Sequence, residues 1–153
     1  MLKEFLKPSF IKSDLVASNK EDAISELVYL IINNIKQLDH DLLTEALNER
    51  ELIDSTGIES GIAIPHAKID GIDRLIFAIA RSKKGINFDS HDKSLTHLFF
   101  VLLAPKGHAT DHIKVLARLA KILTSPGIKE RFMSAKDANE IYEIVVNMDV
   151  KLG

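Results

Sequence analysis

The amino-acid sequence predicts an α/β fold: a mixed β-sheet of about five strands flanked by helices on both faces, with residues 1–153 forming a single domain. Amphipathic helical patterns lie towards both ends of the chain, and short β-rich runs separated by glycines lie in the middle. Residues 98–103 form an unbroken apolar run, which is typical of a central strand covered on both faces. The order of helices, strands and helices therefore favours a sheet layered between helices.

The composition agrees with one folded domain and excludes several kinds of site. At 153 residues, about 68–70% of the surface of the unfolded chain can be buried, so a core can form without disulfides. The chain contains no cysteine, which excludes disulfides, thiolate zinc sites, iron–sulfur clusters and a cysteine nucleophile. The net charge of −2, with lysines scattered along the chain, does not predict a nucleic-acid partner.

No segment of the sequence predicts membrane insertion or export. The longest apolar stretch, residues 98–104, is far shorter than the roughly 20 residues that a membrane-spanning helix needs. Lys3 and Glu4 interrupt the N-terminus where a signal peptide would be apolar. We therefore expect a cytoplasmic protein.

The first third of the chain is predicted to contain an edge strand over residues 11–16 and two helices. Ser18 or Asn19 is a candidate N-cap for a helix that begins near Lys20. Its apolar residues recur at three- and four-residue spacing and predict one broad buried stripe: Ala23, Ile24, Leu27, Val28, Ile31, Ile32 and Ile35. The second helix is expected to run from Asp41 to about Glu51. Its buried face is expected to contain Leu42, Leu43, Ala46 and Leu47.

Three strands and three helices are predicted in the rest of the chain. The strands are expected over residues 61–64, 75–80 and 96–103. The third helix is expected to begin at His112, with Thr110 or Asp111 as its cap. Two shorter helices are expected after Pro126 and after Ser134-x-x-Asp137, which resembles a capping box, with Ile141, Ile144 and Val145 on the buried face of the second.

The candidates for chemistry are histidines. The chain lacks the phosphate-binding loop, the dinucleotide fingerprint, the nucleophile elbow and the H-E-x-x-H zinc motif, so no ATP or dinucleotide cofactor is expected. Of six histidines, His66 and His112 have an informative context. The other four are expected to lie in loops, or in one case to point outward from a strand: His40, His91 and His108 in loops, and His97 on the strand.

His66 follows a short apolar strand that Pro65 is expected to stop, because proline has no N–H to continue the ladder. Side chains at strand ends in α/β sheets commonly line the ligand crevice, and the small Ala67 leaves room for a second molecule. One interpretation is a nucleophilic histidine. The alternative is a half-exposed loop histidine that closes a strand, and residue type alone favours it.

His112 and Arg50 have weaker signals. His112 lies where a helix N-terminus favours an anion such as a phosphate, although local hydrogen bonding is the commoner role of such a residue. Arg50 falls in the last turn of a helix, where most arginines are solvated. A metal-dependent hydrolase with a zinc site formed by His66, His108 and His112 is an alternative, because the last two have i, i+4 spacing. We expect no metal, since no acid is obviously placed as a general base.

Several segments taken together resemble one family: Arg50-Glu51, Ser55-Thr56-Gly57-Ile58, Gly61-Ile62-Ala63-Ile64-Pro65-His66, Phe88-Asp89, Leu102-Leu103-Ala104-Pro105 and His112-Ile113-Lys114-Val115-Leu116-Ala117. They resemble the enzyme IIA domain of the fructose–mannitol type in the bacterial phosphoenolpyruvate-dependent phosphotransferase system. The most specific of these features is the apolar strand that ends in Ala-Ile-Pro-His about ten residues after Thr-Gly.

The resemblance implies a phosphotransferase without a cofactor. His66 would accept a phosphoryl group from the phosphocarrier HPr or its nitrogen-branch homologue, with His112 and Arg50 as supporting residues. Thr56 and Ser55 are candidates for a hydroxyl contact to that group, and are equally well explained as turn and cap residues.

Two roles remain open. One is sugar uptake, in which the phosphoryl group passes to an enzyme IIB of a membrane permease; membrane contact would then be indirect. The other is nitrogen-type regulation of a cytoplasmic target, which the segment from Gly85 to Asp89 and the Leu-Leu-Ala-Pro stretch favour.

Overall fold

The computed structural model describes residues 1–57, 59–107 and 110–153, in which a mixed five-stranded sheet lies between helices, as predicted. The strands are β1 (Ile11–Lys12), β2 (Ile62–Ala63), β3 (His66–Ile69), β4 (Ile76–Ile86) and β5 (Thr96–Pro105). The helices are α1 (Lys20–Asn34), α2 (His40–Ile53), α3 (Thr110–Leu123), α4 (Ile128–Ser134) and α5 (Ala138–Leu152). Short 3₁₀ turns occur at Leu2–Glu4, Pro8–Phe10 and Glu59–Gly61.

The apolar run predicted as a central strand is β5, which pairs on both sides. The order across the sheet is β1-β4-β5-β2, with β3 also on β5; β4 and β5 are antiparallel and the other pairs are parallel. Because Ile62 is opposite Leu98 and His66 is opposite Leu102, β2 and β3 run one after the other along the same side of β5. The interruption between them is Ile64-Pro65.

The two faces of the sheet have separate cores. Leu98, Phe100 and Leu102 of β5 pack towards α3, α4 and α5, whereas Phe99 and Val101 pack towards α1 and α2. This alternation follows from the two-residue period of a strand, and it explains why β5 is apolar at every position from Leu98 onward. His66, opposite Leu102, begins the edge strand that lies beside α2.

The lengths of two strands differ from the prediction. β1 covers two residues rather than the segment 11–16, and the chain beyond it is linked to the backbone of β4 by a hydrogen bond from Leu15 N to Arg81 O. β4 continues six residues past Ala80, through a polar segment that resembles a loop in the sequence. The strand continues because Arg81 and Ser82 are fully buried, with the Arg81 guanidinium donating to the carbonyls of Ser13, Phe132 and Ala135.

Helix boundaries shift where a different residue caps the helix. Asn19 caps α1 as predicted, since its side chain accepts from Asp22 N. Asp39 caps α2, which therefore begins at His40 rather than at Asp41. The capping box starting at Ser134 is wrong, because Ser134 ends α4 and Asp137 caps α5 by accepting from Glu140 N.

The third helix begins at Thr110, so the prediction that it begins at His112 is wrong by two residues. Thr110 and Asp111 are helical rather than capping, and His112 is the third residue of the helix. His108, for which we expected a loop, and Ile58 and Ala109 lie outside the described residues.

Most of the predicted buried faces are observed. Ala23, Ile24, Leu27, Val28 and Ile31 are buried on α1, and Ile32 and Ile35 are partly buried against the same core. Leu42 is 65% exposed, contrary to prediction, because the buried face of α2 is a narrow stripe through Leu43 and Leu47. On α5, Ile141 and Val145 are buried and Ile144 is partly buried. Across the described ranges, no helix is long and apolar enough to span a bilayer.

Candidate active site

His66 is the first residue of β3, immediately after the break in the edge strand. The apolar strand β2 stops before Pro65, as predicted, but a second strand that was not predicted starts at His66. Pro65 donates no bond, but its carbonyl accepts from Leu102 N at 3.0 Å, so the pairing with β5 resumes at once and continues to Ile69. The break places a half-buried imidazole at the edge of the sheet, between α2 and α3.

The two ring nitrogens of His66 have partners of opposite polarity. Nδ1 lies 2.7 Å from the carbonyl oxygen of Ile64, and Nε2 lies 3.3 Å from Nε of Arg50. A carbonyl only accepts and a guanidinium N–H only donates, so the proton belongs on Nδ1 and the lone pair on Nε2. The geometry therefore favours the neutral Nδ1–H tautomer, with Nε2 available as a nucleophile.

Arg50 is directed to this ring by its own helix end. It lies in the last turn of α2, where Nη1 donates to the carbonyl oxygen of Asp54 at 2.7 Å, while Nε donates to His66. These two bonds hold the guanidinium across the mouth of the site. The interpretation of Arg50 as a merely solvated helix end does not describe this geometry.

His112 brings a second imidazole ring next to His66. It lies in the first turn of α3, and the two imidazole rings are stacked with their centroids 6.1 Å apart and their planes at 29°. The structure thus brings His66, Arg50 and His112 together from β3, α2 and α3. A cation from α2 and an imidazole at a helix start suit a group with negative charge.

The hydroxyls of Ser55 and Thr56 are directed elsewhere. The Thr56 hydroxyl donates to the Glu51 carboxylate, and the Ser55 hydroxyl donates to the Phe88 carbonyl at 2.8 Å. Thr56 is only 4% exposed. In this arrangement both residues shape the turn that precedes β2.

Sequence reasoning missed two groups next to the site. The Ile64 carbonyl, which selects the tautomer of His66, carries no signal in the sequence because every residue type has the same carbonyl. The second is Glu51, which the sequence showed only as the end of a helix and as part of the Arg50-Glu51 segment. Its position beside Arg50 in the chain is the one signal that could have drawn attention to it.

His91 lies in a loop as predicted, with Nε2 3.0 Å from Oδ1 of Asp54. This hydrogen bond, together with the charge of His91, holds the pKa of Asp54 below its usual value.

Two other histidines lie away from the predicted positions. The expected loop position of His40 is wrong, since His40 is the first residue of α2. His97 does not point freely outward: its ring is half-buried, with Nδ1 2.8 Å from the Ser82 carbonyl. Gly85 lets the chain approach this ring, since a Cβ there would lie 2.9 Å from it and the φ of 86° disfavours other residues.

Within the described ranges, no three or more His, Asp or Glu side chains cluster so as to hold a metal ion. The alternative zinc site also requires His108, which is not among the described residues.

Comparison with known proteins gives a consistent family. The family model described as "Phosphoenolpyruvate-dependent sugar phosphotransferase system, EIIA 2" matches residues 4–148. The "Nitrogen regulatory protein" of Bradyrhizobium diazoefficiens is 32% identical over 142 residues, which are 93% of this chain and 92% of that protein.

A second curated relative is named for sugar transport. It is the "PTS system fructose-specific EIIABC component" of Bacillus subtilis, which is 34% identical over 146 residues. That alignment covers 95% of this chain but only 23% of the length of the Bacillus protein.

A solved structure agrees with the fold along the chain. The crystal structure titled "Nitrogen Regulatory Protein IIA-Ntr from Neisseria meningitidis" superposes with a TM-score of 0.87 at 30% identity. The superposition covers 94% of this chain and 98% of the Neisseria chain.

Proposed function

The chain belongs to the EIIA 2 family of the phosphoenolpyruvate-dependent sugar phosphotransferase system, and from this premise we propose that it carries a phosphoryl group on Nε2 of His66. The donor is HPr or its nitrogen-branch homologue, and no cofactor takes part. The observation that carries the proposal is the pair of hydrogen bonds on His66, which leaves the lone pair on Nε2.

The proposed transfer needs no proton movement. The Nε2 lone pair of His66 attacks the phosphorus of a donor phosphohistidine whose other ring nitrogen carries a proton. The new N–P bond forms, and the donor's N–P bond breaks to leave a neutral imidazole. The proton stays on Nδ1, where the Ile64 carbonyl accepts it at 2.7 Å. That carbonyl stabilises the positive charge that develops on the ring as Nε2 becomes bonded to phosphorus.

Arg50 and His112 would stabilise the transferred group. The Arg50 N–H bond to Nε2 is 3.3 Å long, beyond the usual range for N–H donors, so the guanidinium can exchange it for the phosphoryl oxygens at little cost. His112, in the first turn of α3, adds a second donor and the helix dipole. A contact from the Ser55 or Thr56 hydroxyl would require it to leave its present acceptor, so we assign both residues to the support of the turn.

We favour a regulatory role of the nitrogen type. This role is supported by the TM-score of 0.87 with the Neisseria protein and by the 92% coverage of the Bradyrhizobium relative. Phosphorylation adds about −1.5 to −2 charges to one surface, which is enough to change a contact with a cytoplasmic target. This role keeps the cytoplasmic location expected from the sequence.

Sugar uptake is the second candidate, supported by the 34% identity to the fructose-specific component of Bacillus subtilis. In that role His66 would pass its phosphoryl group to an enzyme IIB, and contact with a membrane would occur only through a permease. Both roles require the same phosphorylated residue, so the first experiment tests the step that they share.

The experiment measures intact-protein mass after incubation with phosphoenolpyruvate, enzyme I and HPr of either branch. We expect one acid-labile phosphoryl group on the wild type and on His40→Ala, and none on His66→Ala. His40 serves as the matched control because it lies at the opposite end of α2 from Arg50. Faster transfer from the nitrogen-branch homologue would favour regulation, and faster transfer from HPr would favour sugar uptake. If neither donor phosphorylates the wild type, the proposal is overturned.

A further inference from the structure

Glu51 is a buried carboxylate whose partners all belong to the protein. Its side chain is 5% exposed. One oxygen lies 2.8 Å from Nζ of Lys20, and the carboxylate also accepts from the backbone N–H of Thr56, at 3.1 and 3.2 Å, and from the Thr56 hydroxyl. Burial of a carboxylate is costly unless it is paired and hydrogen-bonded. The Lys20 ammonium supplies the pairing, and the hydrogen bonds to Thr56 fix the turn that follows α2.

The turn after α2 also holds Ile64, the residue that selects the tautomer of His66. The carbonyl of Thr56 accepts from Ile64 N at 3.0 Å, and Gly57 forms an antiparallel bridge with Ala63. The carbonyl of Ile64 then accepts from Nδ1 of His66. A continuous set of hydrogen bonds therefore runs from the Glu51 carboxylate to the imidazole.

Ile64 needs this support because the sheet does not provide it. The pairing of β2 with β5 ends at Ala63, and the pairing of β3 begins at His66. Pro65, between them, has no N–H to donate. The backbone N–H of Ile64 is instead held by Thr56, in the turn that Glu51 anchors.

We propose that Glu51 is a positioning residue for His66, acting through Thr56 and Ile64 to keep the proton on Nδ1 and the lone pair on Nε2. Adjacent residues of α2 then control the two nitrogens of one ring: Arg50 contacts Nε2 directly, and Glu51 controls Nδ1 through the turn. This inference rests on the proposed function only for its consequence in phosphoryl transfer. The tautomer itself is a property of the free protein.

The test measures the ¹⁵N chemical shifts of the His66 ring in the free protein, which distinguish the two neutral tautomers without any donor. We expect the wild type to be mainly the Nδ1–H form. In Glu51→Ala the ratio of the Nδ1–H to the Nε2–H form should fall by about fivefold, the change expected for loss of one ordinary hydrogen bond. The initial rate of phosphorylation should fall in proportion to the fraction of the Nδ1–H form, and therefore by less than fivefold.

Two further variants separate positioning from folding. Glu51→Gln keeps a side-chain oxygen that can accept from Thr56 N and should restore most of the Nδ1–H form. Glu51→Asp keeps the charge but is too short to hold both Lys20 and Thr56, and should shift the tautomer as Ala does. If Glu51→Ala does not fold, the tautomer ratio of His66 is measured in Glu51→Asp instead.

The matched control is Glu49→Ala, an exposed residue of the same helix that should leave both the tautomer and the rate unchanged. An unchanged Nδ1–H population in folded Glu51→Ala or Glu51→Asp would overturn the inference. A wild type that has the expected tautomer but accepts no phosphoryl group would overturn the proposed function and leave the positioning role of Glu51 standing.

Discussion

At the scale of single residues, His66 is defined by what its two nitrogens face. The carbonyl of Ile64 holds a proton on one nitrogen, and the guanidinium of Arg50 occupies the lone pair of the other. Only a ring nitrogen that carries a lone pair can attack phosphorus, so the tautomer decides which nitrogen reacts. The reactive atom is thus set by two neighbours that lie before it in the chain.

Arg50 provides the residue-scale prediction. We expect Arg50→Ala to slow phosphorylation by about 10²-fold or more. Removal of one hydrogen-bond donor that faces developing negative charge in a transition state commonly lowers a rate by that factor. Arg50→Lys should recover only part of the rate, since an ammonium cannot fork onto two oxygens. The measurement is single-turnover transfer from a phosphorylated HPr-type donor, with circular dichroism to verify folding. Equal rates for Arg50→Ala and the wild type would remove Arg50 from the mechanism.

At the scale of elements, α2 and the turn that follows it position most of the groups around His66. Its last turn carries Arg50 and Glu51, and the turn that follows carries Thr56, so one helix end organises both sides of the imidazole. Little of this helix is buried, because Leu42 is exposed and the buried face is narrow. The position of α2 therefore depends mainly on its caps and its polar contacts, whereas the position of α1 is fixed mainly by its buried apolar face.

The cap of α2 is directly testable. The Asp39 side chain accepts from Asp41 N at 2.8 Å and from Leu42 N at 3.4 Å. Replacing it by alanine should lower the free energy of unfolding by about 1 kcal/mol, the usual cost of losing an N-cap. Urea denaturation followed by circular dichroism measures this change. Asp41→Ala is the control: its side chain is 96% exposed and should cost less than about 0.5 kcal/mol. Equal losses in the two variants would contradict the capping role.

At the scale of the whole molecule, Asp149 joins parts of the chain that are far apart in sequence. This carboxylate on α5 is 3% exposed and accepts from Arg118 on α3 and from the backbone N–H of Leu2 at 2.8 Å. Burial acts to raise the pKa of Asp149, but the hydrogen bonds from Arg118 and Leu2 outweigh it, so the pKa lies below the ordinary value of 3.8.

This lowered pKa predicts how stability depends on pH. A carboxyl whose pKa is lower in the folded state stabilises the protein above its unfolded pKa, near 3.8, and this contribution is lost as the pH falls through the folded pKa. Asp149→Asn should therefore reduce the free energy of unfolding at pH 6, and the difference from the wild type should narrow below about pH 3.8. Urea titrations at several pH values measure it. A difference that stays constant from pH 6 to pH 2.5 would contradict the assignment.

Local sequence patterns predicted the elements well where one face of an element is buried by apolar residues. The stripe of α1 and the apolar run of β5 are such cases, and both were predicted almost to their boundaries. The extent of β4 was missed because its last residues are polar, and Arg81 is buried only because carbonyls from distant segments surround its guanidinium. The start of α5 was missed because Ser134 and Asp137 are both residue types that cap helices well. Ser134 is the last residue of α4, so Asp137 is the cap of α5.

Hydrophobic periodicity is a local property of the chain, and it was sufficient to predict the α/β class and the central strand. The order of the motif residues carried the resemblance that made His66, His112 and Arg50 candidates for the site. The folded arrangement alone brings Arg50 and His112 to His66 and places the Ile64 carbonyl against Nδ1. It alone decided that Glu51 supports that carbonyl through Thr56. These contacts depend on how α2, α3 and the broken edge strand are placed around one ring, and no local pattern encodes such a placement, because it is set by the packing of the whole sheet.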